Sequence, residues 1–261
     1  MGQRQLLTET AIYGGTAVAR HAVGFFLIPY YTRVLDQASF GGLDLILAGT
    51  GLVALILDLQ LGASTTRYFH FAGTGQEEKA RYVGGMIVFR AVTAALPALL
   101  LGAAFTFLGG GGVPLGKEGR LAIVLSLLGV PFSLLMEYQF LLFRLMEWRW
   151  RYAMLSLGGA VVGGSAVILC VTVFGMGIAG VILGQTMASA ALSLVQLAFL
   201  HGELRFQWRP PHLGEHLRYG LPLVPGLLLG WCWVYMNRFL LAMRLPLNEI
   251  AVFALAMKVL V

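Results

Sequence analysis

Long apolar segments alternate with short polar ones along the whole chain. Seven of them are long enough to cross a bilayer, because about 20 helical residues span the roughly 30 Å hydrocarbon core. The pattern therefore predicts these spans: Ala11–Leu35, Leu43–Ala63, Val83–Leu108, Leu121–Phe143, Tyr152–Phe174, Ile178–Leu200 and Tyr219–Met243. An eighth begins near Ile250 and reaches Val261 after 12 residues, which is too short to cross, so we expect the natural protein to continue.

The composition assigns this pattern to a membrane. The 261 residues are 58% hydrophobic and only 11% charged, with a mean hydropathy of +0.80, whereas a soluble domain has about 25% charged residues. We therefore expect an all-α polytopic membrane protein. Cys170 and Cys232 lie inside apolar runs, which favours small core residues over a disulfide or a metal site, and no cofactor is predicted. The scattered basic residues form no recognition module, so nucleic acid is not an expected partner.

The basic residues of the loops predict the orientation. With a cytoplasmic N-terminus, ten basic residues lie in or beside the inner loops: Arg4, Arg67, Lys79, Arg81, Arg144, Arg149, Arg151, Arg205, Arg209 and Arg218. Four lie in the outer loops: Arg33, Lys117, Arg120 and Arg244. Because short cytoplasmic loops carry the excess of Lys and Arg, we expect the N-terminus inside.

The first apolar segment carries an Arg-His pair, Arg20 and His21, near its middle. A cation at that depth costs at least about 2.5 kcal/mol, so it normally faces a protein interior or a wet cavity. Helical spacing places Arg20 and Gly24 on one face and turns Phe25 and Phe26 away from it. An arginine that snorkels, or that a neighbouring helix satisfies, is the alternative.

Further polar residues inside the spans predict a shared hydrated cavity, because ionisable groups at that depth line water-filled spaces or pair with one another. The expected cavity residues are Arg20, Asp58, Arg90, Glu137, Gln185, Arg238 and Lys258. In span 2, Asp44, Gly51, Asp58 and Thr65 recur at steps of seven and form a face that can meet span 1. Asp44 and Arg238 lie near span ends, where snorkelling is the alternative.

A faint internal repeat begins at Glu9 and again at Glu215. In both copies a Tyr-Gly pair follows, and then an apolar span with a basic residue near its outer end. Six spans separate the copies, an even number, so the repeat is parallel. It predicts two like-oriented halves of six helices.

Several stretches resemble a known family: AIYGGTAVARHAVGFFLIPYYTRVLDQASFGGLDL from Ala11, LGASTTRYF from Leu61, YGLPLVPG from Tyr219 and NRFLL from Asn237. They are similar to the polysaccharide-transport branch of the multidrug/oligosaccharidyl-lipid/polysaccharide (MOP) exporters, the Wzx-type flippases of O-antigen and other lipid-linked oligosaccharides. The resemblance implies a two-lobed helix bundle around a cationic cavity. Residues 1–204 would form the first six-helix lobe, 205–218 a cytoplasmic inter-lobe loop, and 219–261 the start of the second lobe.

The resemblance also implies a function. A flippase would move a polyprenyl-diphosphate-linked oligosaccharide across the cytoplasmic membrane of a bacterium or archaeon, for lipopolysaccharide or other surface polysaccharide. Its partners would be membrane lipids, a coupling ion (H+ or Na+) and polysaccharide-assembly proteins. Arg20 and Arg90 are the expected diphosphate ligands, because guanidinium groups form bidentate bonds to phosphate. The matching arginines near helix ends are Arg33, Arg67 and Arg238. Flipping breaks no covalent bond, so no catalysis is expected.

Two other functions stay open at this point. A multidrug or cation antiporter of the same superfamily would need an acidic cavity, whereas the charges inside the spans are slightly basic on balance. A membrane glycosyltransferase or polymerase would need acidic groups in an outer loop to bind a metal or act as a base. The first outer loop offers only Asp36 and the second only Glu118.

Overall fold

The computed structural model describes residues 3–69, 75–107, 116–205, 207–208, 210 and 212–260, with side chains from residue 10 onward except at 76 and 258–260. The helices, in chain order, are α1 (Gln3–Val34), α2 (Gln37–Asp58), α3 (Leu61–Tyr68), α4 (Gln76–Phe107), α5 (Gly116–Leu145), α6 (Arg149–Thr172), α7 (Gly177–Leu200), α8 (Leu213–Gly220), α9 (Val224–Ala242) and α10 (Leu247–Leu260). Short 3-10 turns lie at His201–Glu203 and Leu221–Leu223. The described residues contain no strand.

Seven segments of the described chain are long and apolar enough to cross a membrane: α1, α2 with α3, α4, α5, α6, α7, and α8 with α9. The predicted all-α polytopic membrane fold is confirmed. The apolar part of α10, Leu247–Met257, is shorter. Because successive spans alternate in direction, the connections near residues 35, 174 and 244 share one side of the bundle, called here the far side. Those near 147 and 204 lie on the side where α1 begins, called the N-terminal side.

Several helices begin earlier than the hydrophobic pattern predicts, α4 and α5 among them. α4 starts seven residues before Val83, and α5 starts five residues before Leu121. Their first turns carry acidic residues, Glu77 and Glu118 among them. The partial positive charge of a helix N-terminus favours carboxylates there, so the helices extend past the apolar segment.

The two largest buried apolar clusters of the described residues lie towards opposite sides of the bundle. The cluster on the N-terminal side includes Tyr82, Met86, Tyr138, Phe143 and Leu200. The cluster on the far side includes Leu43, Ile46, Val171, Ile178 and Val181. The most extensive packing is that of α7 against α5 and α6, whereas α1 packs chiefly on α6. Only 6% of the span of α1 is buried, so this helix borders the surroundings of the bundle.

Span 2 is broken rather than continuous. Leu59 and Gln60, between α2 and α3, have φ angles of 49° and 52°, in the left-handed region that residues other than glycine rarely adopt. The predicted span Leu43–Ala63 therefore contains two helices. The backbone of Gly220 approaches this break, since a Cβ added to Gly220 would lie 2.5 Å from the Leu59 carbonyl oxygen. Glycine is the residue that permits α8 to lie so close.

The predicted loop 205–218 contains the start of a helix. α8 begins at Leu213 and leads through a 3-10 turn into α9. Its buried residues, His216 and Gly220, are four apart and therefore share one face, and α8 packs on α3. The apolar pattern did not reveal this helix because exposed polar residues such as Arg218 occupy its other face.

Candidate functional site

A cavity of about 350 Å³ lies within the spans, between α1, α5, α6 and α7. We call it the Arg20 cavity. Most of its lining is apolar or small, including Gly24, Leu27, Met136, Phe140, Gly159 and Gly163. Its polar lining consists of Arg20, Tyr31, Ser156, Gln185 and Ser189. Among the described residues that line it, Arg20 alone carries a charge.

Arg20 is exposed and makes no hydrogen bond or ion pair within the described structure. Glu137 on α5 is close enough to interact electrostatically with Arg20 and with Arg90. Phe25 and Phe26 line neither cavity of this region and are 59% and 75% exposed. The guanidinium donors of Arg20 are therefore available to a ligand in the cavity.

A second cavity, of about 230 Å³, lies beside the first, between α2, α5 and α7. We call it the Ser126 cavity. Its polar lining is uncharged and consists of Thr50, Ser126, Ser133, Gln185, Thr186 and Ser189. Gln185 and Ser189 line both cavities, so the two cavities adjoin each other along α7.

Arg90 on α4 is buried and has partners on two other helices. Its Nη2 pairs with the Asp58 carboxylate, and its Nη1 donates to the Asp58 carbonyl oxygen at 3.3 Å. Its Nε donates to the Leu134 carbonyl oxygen on α5 at 2.9 Å. The guanidinium carbon also lies 5.2 Å from the centre of the Tyr138 ring, within cation–π distance. Arg90 thus joins α2, α4 and α5 at the helix break.

The same network reaches α3. The Tyr138 hydroxyl shares a hydrogen bond of 3.0 Å with Thr65, and the Gln60 amide donates to the second carboxylate oxygen of Asp58 at 3.0 Å. The Asp58 carboxylate is therefore held from α4 and from the break itself. Neither Asp58 nor Arg90 belongs to the lining of the Arg20 cavity or the Ser126 cavity.

Arg238 on α9 forms an ion pair with Asp44 on α2, with 2.6 Å between Nε and Oδ2. Arg238 and Asp44 are only 5% and 6% exposed. Arg238 also donates from Nη1 to the Val234 carbonyl oxygen at 3.0 Å and lies 4.8 Å from the Tyr235 ring centre. The two side chains are buried and paired with each other, so neither charge snorkels to the membrane surface. The pair lies outside both cavities and fastens α9 to α2.

Nearly the whole chain matches one protein family. The model of the polysaccharide biosynthesis protein family covers residues 6–261. The chain belongs to this family. No curated protein and no solved structure matches the chain. Membership confirms the resemblance to the Wzx-like flippases of the MOP superfamily, and the seven candidate spans make the chain a multi-pass membrane protein of polysaccharide biosynthesis.

In this polysaccharide biosynthesis protein the predicted site residues fall into separate groups. Those at the Arg20 cavity are Arg20 and Gln185 in the lining, with Glu137 within electrostatic range. Those at the helix break are Asp58 and Arg90. Arg238 lies apart, in its pair with α2. Lys258 belongs to α10, but its side chain lies outside the described residues.

Sequence reasoning missed His216, a fully buried residue of α8. Its ring nitrogens lie 3.1 Å from the Ser64 hydroxyl on α3 and 3.2 Å from the Tyr82 hydroxyl on α4. These contacts hold the start of span 7 against spans 2 and 3. A signal was present, because the spacing of Leu213, His216 and Gly220 by three and four residues is typical of one buried helical face.

Proposed function

We propose that this family member is a flippase that translocates a polyprenyl-diphosphate-linked oligosaccharide by alternating access. The observation that carries the proposal is Arg20. It is an exposed guanidinium inside a membrane span, without a hydrogen-bond or ion-pair partner among the described residues, and it faces a cavity of about 350 Å³. Charges within spans are costly and mark pathways for polar substrates. A lipid-linked glycan would be such a substrate for a polysaccharide biosynthesis protein.

The substrate's chemistry fits the Arg20 cavity. A diphosphate is multiply anionic, and a guanidinium group binds phosphate oxygens through paired, charge-assisted hydrogen bonds. The mostly apolar lining lowers the local dielectric constant, which strengthens the attraction. Because α1 borders both the cavity and the surroundings of the bundle, a polyprenyl tail can stay in lipid beside α1 while its headgroup enters.

The other site residues have supporting roles in this proposal. Arg90 positions Asp58 and the helix break rather than binding the diphosphate, because it is buried and each of its three guanidinium nitrogens already donates a hydrogen bond within the protein. Glu137, within electrostatic range of Arg90 and of Arg20, is the candidate carboxylate for a coupling H+ or Na+. Gln185 offers an amide to the headgroup from α7. Flipping breaks no covalent bond, so none of these residues needs a catalytic role.

We place the protein in the cytoplasmic membrane of a bacterium or archaeon, with the N-terminus inside, as the loop charges predict. Residues 1–204 would form the first lobe, 205–218 the connection, and 219–261 the start of the second lobe. The packing of α8 on α3 and of α9 on α2 supports a contact between lobes along span 2. Membrane lipids and polysaccharide-assembly proteins that deliver and receive the glycan are the remaining partners.

A cation antiporter fits the cavity less well. A cationic substrate requires a negative potential, whereas the described lining of the Arg20 cavity carries Arg20 and no acidic residue. Transport of a cationic dye by the purified protein, driven by an H+ or Na+ gradient, would favour the antiporter. Formation of a new glycosidic bond from lipid-linked sugar would favour a glycosyltransferase or polymerase.

The test is complementation of surface glycan display in cells that lack the transporter, with the amount of protein in the membrane measured alongside. Arg20→Ala should abolish display while insertion stays intact, because removing a charge from a span eases insertion. Arg20→Lys should restore display only in part, since an ammonium keeps the charge but loses the bidentate geometry. Arg244→Ala, at an exposed position in the turn after α9, is the control. Normal display from Arg20→Ala at normal membrane levels would remove Arg20 from the mechanism.

A further inference from the structure

The Ser126 cavity has the chemistry of a site for a neutral, hydroxyl-rich group. Its described lining carries no charge and presents six hydroxyl or amide side chains beside apolar ones. We infer that this cavity binds one sugar ring of the lipid-linked substrate, the ring attached directly to the diphosphate. The inference rests on the proposed function and adds a second, separate binding site to it.

Several hydroxyl groups of the lining are oriented as acceptors. Thr50, Ser133 and Ser189 each donate to a carbonyl oxygen of their own helix, at 2.7, 2.9 and 2.9 Å respectively. Each hydroxyl oxygen keeps a lone pair that accepts from a ligand. Sugar hydroxyls can donate to these oxygens. An ionised phosphate or carboxylate has no proton to donate and is not suited to this surface.

One buried polar atom of the lining has no hydrogen-bond partner among the described residues. It is the Oγ of Ser126, a residue that lines the cavity and is 8% exposed. A buried polar group without a partner is costly in a membrane protein. A sugar hydroxyl, which both donates and accepts, can satisfy it.

The two cavities are arranged in the order of the substrate's own groups. The Arg20 cavity holds the cation that suits the diphosphate, and the Ser126 cavity adjoins it through Gln185 and Ser189. A ligand anchored by its diphosphate at Arg20 places the next group of the molecule at this boundary. The volume of about 230 Å³ suits a single ring rather than a branched oligosaccharide. The site would therefore bind the first sugar, and the rest of the glycan would lie outside it.

A hydrated sodium ion is the main competing occupant, because hard cations also bind oxygen ligands. The described lining offers no carboxylate to balance the ion's charge. This lack of a carboxylate favours a sugar.

The experiment measures binding of two probes to the purified protein: polyprenyl diphosphate, and the same lipid carrying one hexose. Gly51→Val reduces the volume of the Ser126 cavity, and its new Cβ lies at ordinary van der Waals distance, 3.9 Å, from the nearest atom. Ser126→Ala removes the hydroxyl that has no hydrogen-bond partner, with little change in side-chain volume. Gly158→Val on α6, where an added Cβ meets nothing within 4 Å, is the matched control.

Gly51→Val and Ser126→Ala should bind the hexose-bearing lipid more weakly, roughly tenfold for Gly51→Val, and the bare lipid as the wild type does. Arg20→Ala should weaken both probes. If both cavity variants bind the hexose-bearing lipid normally, or weaken both probes equally, the sugar site is overturned while the proposed function stands. If the wild type binds neither probe, the proposed function fails, and the sugar site with it. Loss of radioactive sodium binding in Ser126→Ala, with hexose-lipid binding intact, would identify a cation site instead.

Discussion

Arg90 meets Asp58 at the point where span 2 stops being one helix. The guanidinium pairs with the Asp58 carboxylate and donates to the carbonyl oxygen of the same residue at 3.3 Å. The last carbonyl groups of a helix have no partner within it, so a break inside a membrane span leaves backbone acceptors to be satisfied. The buried Arg90 side chain supplies both the counter-ion of the Asp58 carboxylate and a hydrogen-bond donor to the backbone carbonyl group.

Arg90→Met should lower the stability of the purified protein by about 3 kcal/mol, because Asp58 would lose its counter-ion in a largely buried position. Adding Asp58→Asn should recover part of this loss, since no unpaired charge remains. Thermal unfolding in detergent measures both variants. Arg81→Met breaks the exposed pair with Glu77 and should cost no more than about 0.5 kcal/mol. Wild-type stability of Arg90→Met would show that the pair contributes nothing.

Asp44→Arg should reduce the amount of folded protein in the membrane, because it sets two cations against each other where Arg238 is buried. Breaking such a buried pair costs about 3 kcal/mol or more. The exchanged double variant, Asp44→Arg with Arg238→Asp, should recover a measurable part of the folded fraction. Fluorescence-detected size-exclusion chromatography gives the folded fraction. If the double variant gives no larger folded fraction than Asp44→Arg alone, the two side chains do not stabilise the protein as a pair.

His216→Ala should destabilise the protein by about 2 kcal/mol, because the buried hydroxyls of Ser64 and Tyr82 would each lose a partner. His201→Ala, an exposed position in the 3-10 turn after α7, should change stability by less than about 0.5 kcal/mol. Thermal unfolding of the two variants side by side tests the difference. Equal melting temperatures would show that α8 is held on α3 by other contacts.

Cysteine labelling tests the orientation. After Cys170 and Cys232 are replaced by alanine, Lys117→Cys on the far side should react with an impermeant thiol reagent in intact cells. Glu203→Cys on the N-terminal side should react only after the membrane is permeabilised. The reverse pattern would place the N-terminus outside and contradict the prediction from loop charges.

The number and order of the spans could be predicted from the sequence because bilayer thickness sets the length of each apolar run. The side chains with which the polar residues interact could not be predicted in this way. The face of span 2 was expected to meet span 1, yet Asp44 pairs with α9, Asp58 with α4 and Thr65 with α5. That expectation was wrong because spacing along span 2 determines which residues share a face but not which neighbouring helix the face meets. The break at Leu59 and Gln60 also separates Thr65 from that helix, and neither residue is the glycine or proline that normally marks a break.

Only part of the candidate site could be predicted from the sequence. A lone cation inside an apolar segment stands out in a sequence, and Arg20 does face a cavity. Uncharged hydroxyl groups such as those of Thr50 and Ser126 do not stand out, because they occur in helices of every function. Which of them share a cavity depends on the rotation of α2, α5 and α7 about their axes, and sequence spacing along one helix does not determine that rotation.

The break in span 2 also turns one long dipole into two shorter ones. The C-terminal end of α2 and the N-terminal end of α3 carry opposite partial charges of about half an elementary charge each. The Arg90 guanidinium lies at the negative end, where it donates to the Asp58 carbonyl oxygen, so its charge offsets the partial charge beside it. The ion pair and the break therefore depend on each other. A sequence change that made span 2 one continuous helix would give that carbonyl oxygen a partner within the helix and remove the partial negative charge that Arg90 offsets.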